Sequence, residues 1–254
     1  MYKRGKPLYQ LLTEESDATY RAVGGSYGNP LKAIIGALDL QFEILDHTAW
    51  SYGQSHFSGR DVTEPTLISA LHKNTFLFFS AIELARRGLF GPANTVLRPI
   101  FEALIIAKYC QVSTDTAVFE NWFAGKHVHL TNEVLNRIRR PAVDELRIFW
   151  KSLNQLSHAT VYAQQISPTY KDIKNDIGVT LSLVQLLLCL NLHLLSRHFL
   201  TPATLRYTRL HGNAGALASA RERARGLAET ARKSFTRPGK QVVREYCATW
   251  EVRL

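Results

Sequence analysis

The chain lacks the short motifs that would identify a catalytic or cofactor chemistry. Its 254 residues contain no phosphate-binding P-loop, no dinucleotide-binding glycine pattern and no HExxH. Cysteine is also scarce, with only Cys110, Cys189 and Cys247. This odd number and wide spacing fit neither a disulfide framework nor a zinc knuckle, and they favour a reducing compartment. We therefore expect a cytoplasmic protein without a bound metal or cofactor.

Long uncharged runs are nearly absent as well. The N-terminal MYKRGKPLYQLLTEES has basic residues but no apolar stretch behind them, so it does not predict a signal peptide. Residues 177–196 are the exception, because twenty residues without a charge are long enough to span a bilayer. Five of them recur at steps of 3, 4, 4 and 3: Ser182, Gln185, Cys189, His193 and Ser196. A helix inside a bundle can pack such a stripe against neighbours, so we expect a buried helix and no membrane association.

A series of alternating strands is missing too, and helical periodicity dominates. The composition is that of a globular protein, with 46% hydrophobic and 20% charged residues. Glu64-Pro65 and Gly91-Pro92 predict helix starts, and Gly88 between them predicts a helix end and a tight helical hairpin. The sequence predicts an all-α, multi-helix bundle over residues 1–200, followed by a basic helical appendage over 201–254.

Three further segments have predicted structures. Ser113-Thr114-Asp115 is a capping sequence that predicts a helix running to Ile138, and Pro141 predicts another to about His158. In the terminal QVVREYCATWEVRL, the alternation of Trp250, Val252 and Leu254 slightly favours a strand over a helix.

Positive charge is concentrated near the C-terminus. Residues 1–200 carry 20 Lys/Arg against 17 Asp/Glu, whereas residues 201–254 carry 11 against 4. The segment ALASARERARGLAETARKSF has an alanine-rich stripe that buries little area, so we expect it to pack against a partner instead of contributing to the core. Its cations are Arg221, Arg223, Arg225, Arg232 and Lys233. They predict binding to a nucleic acid, RNA more than DNA, or to an acidic protein, with a solvated surface helix as the alternative.

One apolar helix carries two charges around an internal proline. In GPANTVLRPIFEALIIAKYC, Arg98 and Glu102 are four residues apart and can pair across a kink at Pro99. The apolar neighbours predict a buried helix, where a charge is tolerated only when it is paired. The hairpin turn is expected to bring Glu83 to the same level, beside a buried Phe79. This cluster is either a structural ion-pair network or a ligand pocket.

Histidines supply two other candidate sites. His127 and His129 are two residues apart, so on a helix they would point to different sides and could not share a metal ion. His158 follows Ser157 at a predicted helix end, where it is either a general base or a cap.

The run ELARRGLFGPANTVLRPIFEALIIAKY resembles the helical hairpin of uncharacterised bacterial proteins with Leu-Arg-x-x-x-Glu after a glycine turn, and LSHATVY is similar to their later Ser/His element. Some such proteins resemble HEPN-type domains of phage-defence or toxin systems. The resemblance implies an RNA substrate, with Arg98, Glu102 and His158 as candidate catalytic residues. The spacing of Arg206 and His211 matches the HEPN ribonuclease signature, but chance alone gives about two such matches.

Two function classes remain open. In the first, the protein binds RNA or another phosphate-bearing ligand and acts as a ribonuclease of a defence or toxin system. In the second, it is a non-enzymatic interaction or regulatory subunit that docks onto an acidic protein. A homo-oligomer is compatible with both.

Overall fold

The computed structural model of the chain describes residues 8–54, 63–139, 143–157, 173–197 and 214–252. Within these ranges the chain forms nine α-helices, and its only strand-like pairing is one bridge between Ile138 and Val252. The helices are α1 (Leu8–Ser26), α2 (Gly28–Gln54), α3 (Thr63–Arg86), α4 (Phe90–Val112), α5 (Ala117–Phe123), α6 (Asp144–Ser157), α7 (Ile173–Arg197), α8 (Ala214–Ser234) and α9 (Arg237–Cys247). The predicted all-α, multi-helix bundle is confirmed.

The turn between α3 and α4 is closed by a glycine. Gly88 has a φ of +78°, and its N–H donates to the carbonyl of Ala85 at 3.0 Å. The N–H of Leu89 donates to the carbonyl of Leu84 at 2.9 Å. This is the Schellman arrangement, in which glycine adopts the left-handed conformation at little cost. The predicted hairpin is confirmed, and α4 continues through Pro99 as one helix.

A second glycine turn ends α5 early, so the predicted helix from Ser113 to Ile138 is wrong. Gly125 has a φ of +71°, and the N–H of Lys126 donates to the carbonyl of Asn121 at 2.9 Å. This closure repeats the one at the end of α3. The chain then leaves the helix and forms a π-helical turn followed by a 3₁₀ turn over residues 130–137.

The long uncharged segment forms the central helix, α7, which contacts α2, α3, α4 and α8. Among the described residues, Ile177–Ser196 is the one stretch long and apolar enough to cross a membrane, and 67% of it is buried inside the structure. The predicted buried helix is confirmed. Its polar stripe is only partly inside, because Cys189 and Ser196 are buried whereas Ser182 is exposed.

The alanine-rich helix α8 contributes to the core. Leu217, Ala220 and Ala224 are fully buried, and α8 packs against α2 and α7. The expectation that this helix would not contribute to the core is therefore wrong. Its small side chains allow close approach: the Sγ of Cys189 on α7 lies 3.6 Å from the carbonyl oxygen of Ala228. The predicted domain boundary near residue 200 lies outside the described residues and stays a prediction.

The C-terminal segment is helical up to Cys247, so the slight preference for a strand is wrong for that part of it. α9 begins at a Thr236 cap and buries Val242, Val243 and Tyr246 against α6 and α7. Strand-like pairing is confined to the bridge that Val252 makes after the helix. The segment's apolar residues therefore face the bundle with helical spacing.

Phe79, which the sequence predicts to be buried, lies at the surface, and so does Phe42 on the neighbouring helix. Phe42 on α2 and Phe79 on α3 are both exposed, although Leu45 and Phe78 beside them on the same helices are buried. The apolar stripe of each helix is wider than the face that packs against the bundle, so one edge of the stripe is left outside.

Candidate functional site

A polar cleft lies between α4, α6 and the non-helical segment after α5. Its volume is about 260 Å³. The polar and aromatic residues that line it include Arg98, Glu102, His127, His129, Trp150 and Asn154. α4 supplies the first two, α6 the last two, and the chain that leaves the Gly125 turn supplies the histidines. The residue pair predicted from sequence therefore forms part of the wall of a cleft.

Arg98 and Glu102 form an ion pair, as predicted, but they are not buried. The Nε of Arg98 lies 3.1 Å from Oε1 of Glu102, and the two side chains are 26% and 33% exposed. The guanidinium carbon of Arg98 is also 5.1 Å from the ring centroid of Trp150, within cation–π range. The pair is thus held against α6 and still reaches solvent in the cleft.

Glu83, the third member of the predicted cluster, forms its ion pair on its own helix. Its Oε1 lies 2.9 Å from Nη1 of Arg86. Glu83 is five residues before Gly88, whereas Arg98 is ten residues after it, so in an antiparallel hairpin the two differ by about 7 Å along the axis. The mismatch in distance from the turn explains why Glu83 does not join the pair.

His127 and His129 lie next to each other in the cleft wall. Their ring centroids are 4.5 Å apart at 63°, and both side chains are exposed. The expectation that they point to different sides assumed a helix, which the Gly125 turn ends. The N–H of His129 donates to Oε1 of Glu133 at 3.2 Å, which fixes the backbone where the π-helical turn begins. The described residues contain no group of three or more His, Cys, Asp or Glu placed to hold a metal ion.

A second cleft of about 370 Å³ shares Glu102 and His127 with the first. Lys73 of α3 and Lys126 of the Gly125 turn also line it. Glu102 and His127 therefore form a wall between two adjoining clefts. Three cationic side chains border the two clefts: Arg98, Lys73 and Lys126. This distribution favours an anionic ligand.

The cations predicted to bind nucleic acid are largely engaged within the protein. Arg221 donates to the carbonyl of Ser196 at 2.9 Å, and burial lowers its pKa. Arg223 pairs with Glu43 and Arg225 with Glu222. The other two predicted residues, Arg232 and Lys233, are exposed in the last turn of α8.

Sequence reasoning missed a basic face on α9. Arg237, Lys240 and Arg244 are spaced three and four residues apart, so they share one side of the helix, and all three are exposed. The helical spacing would have revealed this face, but Arg237 and Lys240 precede the segment whose alternation slightly favours a strand, and only Arg244 lies within it.

Sequence reasoning also missed a buried lysine on α4. Lys108 is 1% exposed, and its Nζ donates to the carbonyls of Tyr246 and, at 2.8 Å, Ala248. It also lies 4.1 Å from the ring centroid of Trp250. Burial lowers the pKa of Lys108 to about 8. A cation at the C-terminal end of α9 is favourable for the helix dipole, so Lys108 joins α4 to α9.

A buried glutamate links α9 to α6 in a similar way. Oε2 of Glu245 accepts hydrogen bonds from the N–H groups of Glu145 at 2.8 Å and Leu146 at 3.0 Å, in the first turn of α6. Burial raises the pKa of Glu245, and these backbone hydrogen bonds act in the opposite direction. α9 therefore contacts both helices that form the cleft, through Lys108 on one side and Glu245 on the other.

His158, the third candidate catalytic residue, lies outside the described residues, as do Arg206 and His211. Comparison of the chain with protein-family models, with curated proteins and with solved structures finds no match. The HEPN resemblance and the phage-defence or toxin context stay predictions, and the geometry of the cleft is the basis for assigning a function.

Proposed function

We propose that the protein binds single-stranded RNA in the cleft between α4 and α6. The supporting observation is that Arg98, His127 and His129 line one cleft. A guanidinium binds phosphate oxygens through paired N–H donors, and an imidazole can donate or accept a proton near neutral pH. RNA offers such groups a phosphate and a 2′-hydroxyl, whereas DNA lacks the hydroxyl. RNA is therefore the favoured nucleic acid.

The size of the cleft favours a strand over a duplex. Its 260 Å³ lies just below the range for small-molecule sites, roughly 300–1,000 Å³. Such a space accommodates about one nucleotide, and the RNA backbone would continue into the adjoining cleft beside Lys73 and Lys126. Glu102 keeps the Arg98 guanidinium at the cleft wall through the ion pair, so the cation is already in position before a phosphate arrives.

Cleavage of the bound strand is the reaction for which these groups are suited. One imidazole accepts the proton of the ribose 2′-hydroxyl while that oxygen bonds to phosphorus. The bond from phosphorus to the 5′-oxygen breaks, and a second, protonated imidazole donates its proton to that oxygen. Arg98 neutralises the charge that builds up on the phosphoryl oxygens. The products are a 2′,3′-cyclic phosphate and a 5′-hydroxyl, and no other reactant is consumed.

Fluorescence anisotropy with a labelled, mixed-sequence RNA tests the binding. The double variant His127→Ala/His129→Ala is expected to bind at least about tenfold more weakly, since each contact to a charged group contributes about 1.5–3 kcal/mol. Both side chains are exposed, so the fold should be kept. His72→Ala, which removes a histidine between α2 and α3, is the matched control. Equal affinity of the double variant and the wild type would refute the cleft as the site.

A strand with one deoxyribose at a defined position tests the cleavage separately. The wild type should bind this strand as well as the all-RNA strand but leave that linkage uncut, because the attacking hydroxyl is missing. Cleavage at the deoxyribose linkage would exclude the 2′-hydroxyl mechanism. Binding without cleavage of any strand would leave RNA binding intact and reject the ribonuclease activity.

The basic face of α9 favours a second candidate function, an interaction subunit that docks onto an acidic protein. Arg237, Lys240 and Arg244 form a linear row of exposed cations that suits an acidic helix or peptide. A triple charge reversal to Glu should abolish binding to a polyglutamate peptide. If RNA binding is unchanged in that variant, the two surfaces are independent.

A further inference from the structure

We propose that two copies of the chain associate through the exposed aromatic surface of α2 and α3. This α2–α3 aromatic surface consists of Ile35, Phe42, Phe76 and Phe79, which are 41%, 45%, 59% and 57% exposed. Single exposed apolar residues are common, but four large ones on two neighbouring helices form a patch of the kind that marks an association site. The proposal does not depend on RNA binding, but Lys73 borders both this surface and the second cleft, so the association is tested without RNA.

The contacts between α2 and α3 show that these side chains are neighbours. The Nε2 of Gln41 donates to Oγ1 of Thr75 at 2.8 Å, which fixes the register of the two antiparallel helices. The ring centroids of Phe42 and His72 are 5.7 Å apart, and those of His72 and Phe76 are 5.5 Å apart. The aromatic rings are thus held by mutual contacts before any partner binds, which lowers the entropy cost of association.

The same register places the remaining two apolar residues together. Since Gln41 is level with Thr75 and the helices are antiparallel, Ile35 on α2 lies about level with Phe79 on α3. Ile35 and Phe42 are seven residues apart on α2, and so share one side of it. The patch therefore extends for about two helical turns along the groove between the helices.

The charges that flank the surface identify its occupant as a second copy. Asp39 and Asp46 are exposed along the outer edge of α2, and Lys73 is exposed along the opposite edge, on α3. A two-fold axis along the groove would lay α2 of one copy over α3 of the other at the same level. Lys73 of each copy would then stand between Asp39 and Asp46 of the other. An interface with opposite charges on its two edges is complementary to itself.

A third charge pair fits the same arrangement. Lys32 on α2 lies about level with Glu83 on α3, by the register that the Gln41 hydrogen bond fixes. The two-fold axis would place these opposite charges across from each other in both halves of the interface. An unrelated partner would have to reproduce this pattern of charges, whereas a second copy supplies it.

Size-exclusion chromatography with light scattering tests the association in the absence of RNA. At about 100 μM, where a weak dimer is populated by mass action, the wild-type mass should be twice the chain mass of 28.7 kDa. Phe76→Ser/Phe79→Ser should give a single chain mass with an unchanged circular dichroism spectrum. Ile148→Ser on α6, where the isoleucine is 57% exposed, is the matched control and should stay dimeric. A wild type of single chain mass, or a dimeric Phe76→Ser/Phe79→Ser variant, would overturn the proposal.

A charge exchange tests the two-fold arrangement without changing the aromatic residues. Lys73→Glu alone, and Asp39→Lys/Asp46→Lys alone, should each be monomeric at the same concentration, because like charges then meet in both halves of the interface. A mixture of the two variants should form a heterodimer, since each supplies the charge that the other needs. If the mixture stays monomeric, or if either variant alone dimerises like the wild type, the proposed arrangement is wrong.

Discussion

Arg98 and Lys108 are two cations on the same helix, and their surroundings differ. Arg98 is 26% exposed and pairs with a carboxylate at the wall of a cleft. Lys108 is 1% exposed, and it donates to two backbone carbonyls and faces the ring of Trp250. The buried cation uses its hydrogen bonds to join two helices. The partly exposed cation reaches solvent in the cleft, and this accessibility, more than charge, distinguishes a candidate site from a structural contact.

The C-terminal helix α9 stabilises the cleft through the buried Lys108 and Glu245. α9 receives Lys108 from α4 and caps the first turn of α6 with Glu245. α4 and α6 are the two helices that form the cleft, so α9 supports the site without lining it. Changes in α8 and α9 are therefore expected to act on stability, whereas changes at Arg98 are expected to act on binding.

Truncation after Gly212 should have the largest effect. It removes α8, α9 and the segment after them, including the buried residues Leu217, Tyr246 and Trp250, and it leaves Lys108 without the carbonyls that it binds. The free-energy cost of leaving a buried charge without partners and of exposing several core faces exceeds the usual free energy of unfolding of a domain, about 5–15 kcal/mol. Thermal unfolding monitored by circular dichroism should show no cooperative transition. A truncated chain that melts like the full chain would show that these helices are dispensable.

Among the single substitutions at Arg98, Lys108 and Glu245, Lys108→Ala should lower the free energy of unfolding most. It leaves the carbonyls of Tyr246 and Ala248 without their donor and opens a cavity, at a cost of about 2–5 kcal/mol. Lys108→Met is the control, because it keeps most of the side-chain volume and removes only the ammonium. The difference between the two variants in urea unfolding separates the packing contribution from that of the charge. Equal stability of Lys108→Ala and the wild type would contradict a structural role.

Glu245→Ala should have the next largest effect. It removes the oxygen that accepts from the N–H groups of Glu145 and Leu146, and losing such a cap costs about 0.5–2 kcal/mol. Glu245→Gln keeps an oxygen at that position and should retain most of the stability. If urea unfolding shows the same loss for both variants, then the charge and not the cap is responsible.

The pH dependence of stability should reveal the buried ammonium. Burial lowers the pKa of Lys108 from 10.5 to about 8, so between these values the unfolded chain binds more protons than the folded chain. The free energy of unfolding then rises with pH on account of this residue. From pH 7 to pH 9 the wild type should gain about 1 kcal/mol relative to Lys108→Met. Cys110 and Cys189 act in the opposite direction above pH 9, because burial raises the pKa of each to about 12.

The subtraction of the variant from the wild type removes the contribution of the cysteines, because both chains contain them. Urea unfolding at the two pH values provides the four free energies. An identical pH dependence in the two chains would mean that Lys108 does not titrate in this window.

Features fixed by neighbouring residues were predictable, and those fixed by distant contacts were not. The α3–α4 turn and the Arg98–Glu102 pair depend on residues within a few positions of each other, and both predictions are confirmed. The partners of Lys108 are 138 and 140 residues away, and no local pattern indicates them. The burial of α8 depends on how closely its alanines approach α7, which small side chains alone do not reveal.

The candidate site combines both kinds of feature. Its ion pair was predictable from i,i+4 spacing. The histidines became part of the site because Gly125 ends α5, and the cleft exists because α6 packs beside α4. A glycine just after the last residues of a helix is a helix-end signal, so the end of α5 could have been predicted, whereas the position of α6 could not.

Arg98→Ala should have the smallest effect on stability and a larger one on binding. The sequence favours a buried pair, whose disruption would cost about 3–5 kcal/mol. Because both side chains are in fact partly exposed, the expected loss is about 0–1 kcal/mol. RNA affinity should fall by roughly tenfold or more, as expected for the loss of a charge-assisted contact. The double variant Arg98→Met/Glu102→Leu should be as stable as the wild type, and it should bind RNA as weakly as Arg98→Ala. A drop in melting temperature with unchanged RNA affinity would reverse the assignment and make Arg98, like Lys108, a structural cation.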